Sequence, residues 1–232
     1  MRRIKKQMES QIETVDLITL TNPSSAISEQ YRTICTNIQF VATERKTVKT
    51  LVVTSSGPAE GKSTTAANLA VVFAQAGKEV LLVDADMRKP VLAKTFQINN
   101  SYGLSNILSF SGNMEDGIQK TTMEYLSILP SGPTPPNPSE LLSSSRMDEL
   151  MKELNQLYEI VIFDMPPVVA VTDAQILSAK ADGTLLVVRE GISKKESLLK
   201  AKGLLEMSQA KVLGVVYNGM QQNKETNYYY SS

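Results

Sequence analysis

Thr50 to Ala76 reads TLVVTSSGPAEGKSTTAANLAVVFAQA. It opens on an apolar, β-rich run, Leu51-Val52-Val53-Thr54. A loop of small residues follows, Ser55 to Gly61, and then Lys62-Ser63-Thr64-Thr65. From there Ala66, Leu69, Ala70, Phe73 and Ala76 recur at helical spacing. The order is strand, loop, helix N-terminus. Such a loop aims several backbone N–H groups and the positive end of a helix dipole at one point, which suits a phosphate chain. Lys62 adds a mobile positive charge for the β- and γ-phosphates, and the Ser63 hydroxyl can ligate Mg²⁺. The expected ATP contacts are therefore Gly57, Pro58, Ala59, Glu60, Gly61, Lys62, Ser63 and Thr64. Two positions depart from the strict P-loop pattern. Ser56 stands where its first Gly belongs, with Gly57 one step later, and Ala59 stands where many related loops carry Gly. The bland alternative is a Gly/Ser turn leading into a capped helix.

Further apolar runs end in acids. Val80-Leu81-Leu82-Val83-Asp84-Ala85-Asp86 and Ile160-Val161-Ile162-Phe163-Asp164 read as buried parallel strands. In open α/β sheets the carboxyl ends of strands line the ligand crevice. Asp84, Asp86 and Asp164 are thus expected beside the loop, organising Mg²⁺ with Ser63. The competing reading makes Asp86, or less readily Asp84, a helix cap or a partner of Arg88 or Lys89.

Strand patterns recur at Tyr125–Leu129, Thr184–Arg189 and Val212–Asn218, with helices between them. Ser139 is expected to cap one helix running from about Glu140 to Leu157, and Asp173 to cap a shorter one. The alternation predicts an α/β fold with a doubly wound, mostly parallel sheet flanked by helices. Residues 28–40, SEQYRTICTNIQF, read as a helix capped by Ser28, with Glu29 and Arg32 paired at i, i+3. The division expected is an N-terminal arm over 1–27, a nucleotide-binding domain over 28–220 and a tail over 221–232.

Composition narrows the classes. Among 232 residues, 42% are hydrophobic, enough for a substantial core. Lys plus Arg equals Asp plus Glu at 24 each, so no bulk field points to nucleic acid. A small basic tip, Arg2, Arg3, Lys5 and Lys6, can touch anionic lipid or simply be solvated. There is no histidine and one cysteine, Cys35, which excludes His-based chemistry, intrachain disulfides and thiol metal clusters. No apolar run is long enough to span a membrane and no secretory signal is evident, so a cytoplasmic protein is expected. The tail ends Asn227-Tyr228-Tyr229-Tyr230-Ser231-Ser232. Three consecutive tyrosines cannot share one apolar surface. Exposed phenols that accept phosphate explain them better than packing does.

With these residues in hand, the chain resembles the bacterial tyrosine kinases that direct capsule or exopolysaccharide synthesis. The resemblance rests on Gly61-Lys62-Ser63-Thr64, on Leu82 to Pro90 with its Asp84-Ala85-Asp86-Met87-Arg88-Lys89 core, on Val161 to Pro167, and on the terminal tyrosines. It implies ATP and Mg²⁺ as cofactors, with Lys62 on the phosphates and Asp84, Asp86 and Asp164 around the metal. It implies that Asp84 approaches the tyrosine hydroxyl and that Asn218 meets the adenine. It implies phosphorylation of Tyr228, Tyr229 and Tyr230 by a neighbouring copy. It also implies a homo-oligomer, for which a ring is one form, with Glu29 and Arg32 as contacts. The family's Glu-x-x-Arg-x-x-Arg pattern has Cys35 at its third charged place here. Implied partners are a transmembrane adaptor that recruits and activates the kinase at the inner face of the membrane, a tyrosine phosphatase and other protein substrates. Two rivals share parts of the pattern. One is a positioning ATPase of the MinD/ParA kind, whose signature lysine would fall at Gly57. The other is a nucleotide-dependent scaffold of a polysaccharide machine.

Overall fold

The computed structural model describes residues 14–43, 47–110 and 112–220. Its elements run α1 (Ile18–Thr21), α2 (Ala26–Thr43), β1 (Thr50–Ser55), α3 (Lys62–Gln75), β2 (Val80–Asp84), α4 (Leu92–Thr95), α5 (Leu104–Phe110), α6 (Met114–Gly117), β3 (Gln119–Lys120) and β4 (Leu126–Leu129). They continue with α7 (Pro138–Ser143), α8 (Ser145–Leu157), β5 (Ile160–Asp164), α9 (Asp173–Lys180), β6 (Gly183–Arg189), α10 (Lys195–Met207) and β7 (Val212–Asn218). Seven strands form one sheet in the order β3-β4-β2-β5-β1-β6-β7. Every pairing is parallel except the short β3, which runs antiparallel to β4.

The central strands of the sheet are buried on both faces, and the alternation of strand side chains assigns each residue to a side. Val52, Leu81, Val83, Val161 and Phe163 join a core with Ile107, Leu142, Leu150, Leu154, Leu177 and Leu205 from the helices of one side. Leu51, Val53, Leu82, Ile160 and Ile162 join the other core with Tyr31, Cys35 and Ile38 of α2 and Leu69 and Phe73 of α3. Because β5 lies between β1 and β2, three strand ends meet beside the loop before α3. The register sets Asp84 directly opposite Asp164 and Val53 opposite Asp164.

Several local expectations need correction. Residues 15–27 do not stand off as an arm. Val15, Leu17 and Ile18 pack on the core, and Thr19 is buried, its N–H and hydroxyl both donating to Asn68 Oδ1 at 3.0 and 2.8 Å. Helix α2 starts at Ala26, and the Ser25 hydroxyl accepts the Ser28 N–H at 3.1 Å. Ser28 is not the cap. Its buried hydroxyl donates to Asn22 O at 2.8 Å and ties the helix start to the preceding turn. The helix expected from Glu140 to Leu157 is two helices. The break falls at Ser144, whose side chain accepts from Met147 N and caps α8. Asp173 is the first residue of α9, not its cap. Among the described residues no helix is long and apolar enough to cross a membrane.

Candidate active site

The loop before α3 is closed by one of its own side chains. Ala59 and Gly61 both take the left-handed region, at φ 60° and 93°, and turn the backbone on either side of Glu60. That throws the Glu60 carboxylate back over the loop. Oε2 accepts the N–H groups of Ser56 at 2.8 Å and Gly57 at 3.0 Å. Oε1 accepts the hydroxyls of Ser56 at 2.7 Å and Ser193 at 2.6 Å. The side chain is buried. Glycine is favoured at position 61 on a second count, since a Cβ there would lie 2.2 Å from Asn218 Nδ2 and push that side chain from the loop. Asn218, at the end of β7, donates to Glu60 O at 3.3 Å, and Arg189 Nη1 donates to Ala59 O at 3.2 Å. The last residues of β7 and β6 thus grip the loop from outside.

Lys62 opens α3 and reaches across to the acidic strand ends. Its Nζ lies 2.9 Å from Asp86 Oδ2, 3.7 Å from Asp164 Oδ1 and 3.2 Å from Ser63 Oγ. Burial works against the ammonium charge, but the surrounding carboxylates, Asp164 foremost, outweigh it and hold the lysine above its ordinary range. Asp84 spends one oxygen on structure. Its Oδ2 accepts the N–H groups of Val91 at 3.1 Å and Leu92 at 2.9 Å, which serves the start of α4. Asp86 Oδ1 accepts the Lys89 N–H at 3.0 Å. The cap role weighed against Asp84 and Asp86 is therefore present, but each carboxylate keeps an oxygen for other use.

Those remaining oxygens are the chemical signature of the site. Asp84 Oδ1 and both Asp164 oxygens are buried without a hydrogen-bond donor. Buried polar atoms are normally satisfied, so three orphaned acceptors at one place call for a ligand. Burial first, and then the facing Asp164 charge, push the Asp84 carboxyl up to about 8. Burial also raises Asp164, against the pull of Lys62. A cation would relieve both. Among the described residues no three acidic or thiol side chains close on one point as a ready-made metal cage. That is compatible with Mg²⁺, which keeps several waters and relies on one or two carboxylates plus substrate phosphates. Ser63, Asp86 and Asp164 fit a Mg–nucleotide, with Asp84 alongside.

Some residues around the site carry no signal in the sequence. Arg88 does not pair with Asp86. It donates Nε and Nη2 to the buried Asp173 at 2.9 and 3.1 Å, and the Ser139 hydroxyl joins the same carboxylate at 2.6 Å. This locks the segment after β2 to α7 and α9. Ser193 and Arg189 likewise lie far from the loop in sequence. Elsewhere, Glu29 and Arg32 do form an ion pair on α2, and Arg32 Nη2 also donates to Pro23 O at 2.6 Å. Cys35 faces inward against α3, where burial pushes its thiol up to about 12. Tyr228, Tyr229 and Tyr230 lie outside the described residues.

An AAA domain family model matches residues 48–200. Tyrosine-protein kinase YwqD of Bacillus subtilis (strain 168) is 50% identical over 93% of this chain and 90% of its own length. The chain belongs to the bacterial tyrosine-protein kinase family. A solved chimerical protein, CapA2B2, is similar to this tyrosine kinase chain at 41% identity, covering 95% of this chain and 99% of that one with a TM-score of 0.85. The cell-division ATPase MinD of Pyrococcus furiosus shares the fold, with a TM-score of 0.65 at 24% identity over 76% of this chain and 74% of that one. The kinase family and the positioning ATPases thus use one mostly parallel P-loop architecture. The residue facing Glu60 at the start of the loop, where a MinD-type lysine would stand, is Gly57 in this kinase chain.

Proposed function

We propose that the chain transfers the γ-phosphoryl group of Mg–ATP to tyrosine, chiefly to Tyr228, Tyr229 and Tyr230 of a neighbouring copy. The observation that carries this is the cluster of Lys62, Asp86 and Asp164 at the mouth of the loop, with orphaned carboxylate oxygens beside it. In this reading Lys62 leaves Asp86 for the β- and γ-phosphates, and Ser63, Asp86 and Asp164 hold Mg²⁺ directly or through water. When bound there, Mg²⁺ would neutralise charge on the transferring group. Positioning and charge neutralisation supply most of the rate for a loose phosphoryl transfer. Asp84 accepts the phenol proton. Burial raises the metal-free Asp84 carboxyl to about 8, and a cation beside it would bring it back down so that it could take that proton. Gly57 to Thr64 cradle the phosphates, and Asn218, which already touches the loop, borders the adenine.

The same reading gives the protein its setting. It acts as a homo-oligomer with Glu29 and Arg32 near a subunit contact. It is held at the inner membrane face by the cytoplasmic tail of a transmembrane adaptor, and a tyrosine phosphatase reverses its modification. It controls capsule or exopolysaccharide synthesis and export, and acts on other protein substrates. The balanced charge of the chain gives no reason to invoke nucleic acid.

The test mixes two versions of the purified chain with Mg–ATP and an adaptor-tail peptide. One is Lys62→Met with its tail intact. The other is active but ends at residue 220. Mass spectrometry should find phosphate on Tyr228–Tyr230 of the Lys62→Met chain only when the truncated partner is present. ATP hydrolysis without phosphotyrosine favours the positioning-ATPase reading. Phosphate on the tail of the full-length wild-type chain assayed by itself, with none on the Lys62→Met tail in the mixture, overturns transfer between copies.

A further inference from the structure

We propose that Ser193 is a positioning residue of the nucleotide site: its hydroxyl, acting through Glu60, sets the shape of the Ser56–Gly61 loop and so the affinity for nucleotide. The inference rests on the nucleotide-binding part of the reading above and adds a residue that this reading does not use.

Ser193 sits in the turn between β6 and α10, 133 positions from Glu60. Its hydrogen bonding has one direction. The Arg189 N–H donates to Ser193 Oγ at 2.7 Å, so the oxygen is already an acceptor. Its proton is aimed at Glu60 Oε1, 2.6 Å away. Glu60 collects four donors, and three of them belong to the loop itself, Ser56 N, Ser56 Oγ and Gly57 N. Those three give the loop its internal closure. Among the described residues Ser193 is the one donor to that carboxylate from outside the loop, and it anchors the closed loop to the body of the sheet.

Two physical consequences follow. The first concerns position. Arg189, four residues before Ser193, holds Ala59 O at 3.2 Å. One turn therefore grips two consecutive residues of a segment whose backbone is unfavourable at Ala59, φ 60°. Without Ser193 the loop keeps its internal bonds but loses one of its fixed points. The second concerns charge. A carboxylate inside an anion-binding loop repels a triphosphate unless donors disperse its charge. The Ser193 hydroxyl is one of four that do so, and hydrogen bonds to a charged acceptor are the stronger kind. Ser193 is half-buried and belongs to neither apolar core, so its hydroxyl can be removed without disturbing packing.

The full chain and its Ser193→Ala and Ser193→Thr variants are titrated with a fluorescent ADP analogue in Mg²⁺. Melting temperatures and the KM and kcat for ATP are measured alongside. Ser193→Ala should weaken nucleotide binding and raise KM by about tenfold, the equivalent of one hydrogen bond to a charged group. Its kcat and melting temperature should stay close to those of the wild type. Ser193→Thr keeps the hydroxyl and should bind nearly as tightly as the wild type. Unchanged affinity in Ser193→Ala overturns the proposal. So does a parallel loss of kcat and melting temperature, which marks a merely structural role, or failure of threonine to restore binding. If the wild-type chain binds no nucleotide, the functional reading itself fails, an outcome distinct from the others.

Discussion

The Lys62 ammonium lies 2.9 Å from the Asp86 carboxylate and 3.7 Å from Asp164, so the loop's own lysine holds the place where a metal would neutralise the strand ends. In this state the positive charge belongs to the carboxylates rather than to a phosphate chain. In the proposed reading Lys62 would change partners on binding Mg–nucleotide, and the acids it leaves would hold the metal. The first prediction follows from that exchange.

Lys62→Met leaves mutually repelling buried carboxylates without their cation. Removing one partner of a buried pair costs about 3–5 kcal/mol. The variant should lose roughly 3 kcal/mol of stability at pH 8 without metal, the low end because Lys62 keeps some exposure. Excess Mg²⁺ should return part of that loss. Urea titrations with and without Mg²⁺ check both, and equal stability of variant and wild type would refute the exchange.

Asp84 gives a pH dependence with a definite sign. Its carboxyl is raised by burial to about 8, against an ordinary value near 4. Between those limits the unfolded chain has released a proton that the folded chain retains. Folded-state stability should therefore fall as pH rises from about 4 to about 8. Asp84→Asn removes its share of the titration and should make that slope shallower in metal-free protein, with buried Asp164 carrying the rest, while abolishing phosphotransfer. Denaturant midpoints across the range, compared between the two chains, provide the measurement.

Ala59 carries a side chain in a left-handed conformation that favours glycine. Ala59→Gly should raise stability by roughly 0.5–1 kcal/mol, the relief of strain less the added freedom of the unfolded chain. The Arg189 bond to the Ala59 carbonyl does not depend on the side chain and should survive. An increase in melting temperature checks this, and a decrease would mean that the alanine methyl has a packing role.

Cys35 is buried, and its thiol is raised to about 12. The neutral thiol persists in the folded chain where an unfolded cysteine, ordinarily near 9, would ionise. The stabilising preference is full below that value and is lost as pH rises through about 12. At pH 8 a thiol reagent should react only as fast as the protein opens. Rapid stoichiometric labelling of native protein would contradict the buried placement.

The central strands were legible because a strand covered on both faces reads as continuous apolar residues, and an acid at its end marks where the crevice begins. The last strand, Val212–Asn218, came out to the residue. Choices between equivalent serines were not legible. Ser25 and Ser28 are both good caps, and the docking of Thr19 on Asn68 placed the turn that decided between them. Ser144 breaks a stretch whose apolar periodicity continues across it. Partnerships across the chain left no trace either. Neither Arg88 with Asp173 nor Glu60 with Ser193 shows in any local pattern, because each pair is made by topology.

The bond from Asn218 to the Glu60 carbonyl also fixes where β7 ends beside the loop. Tyr228 follows Asn218 by about ten residues, a leash of at most ~35 Å fully extended. If Tyr228 is the acceptor proposed above, it would be presented to an adjoining subunit at a local concentration in the millimolar range. Dilution would then leave the reaction untouched until the subunits themselves separate. Lengthening the leash should slow it even where the chemistry is unaltered.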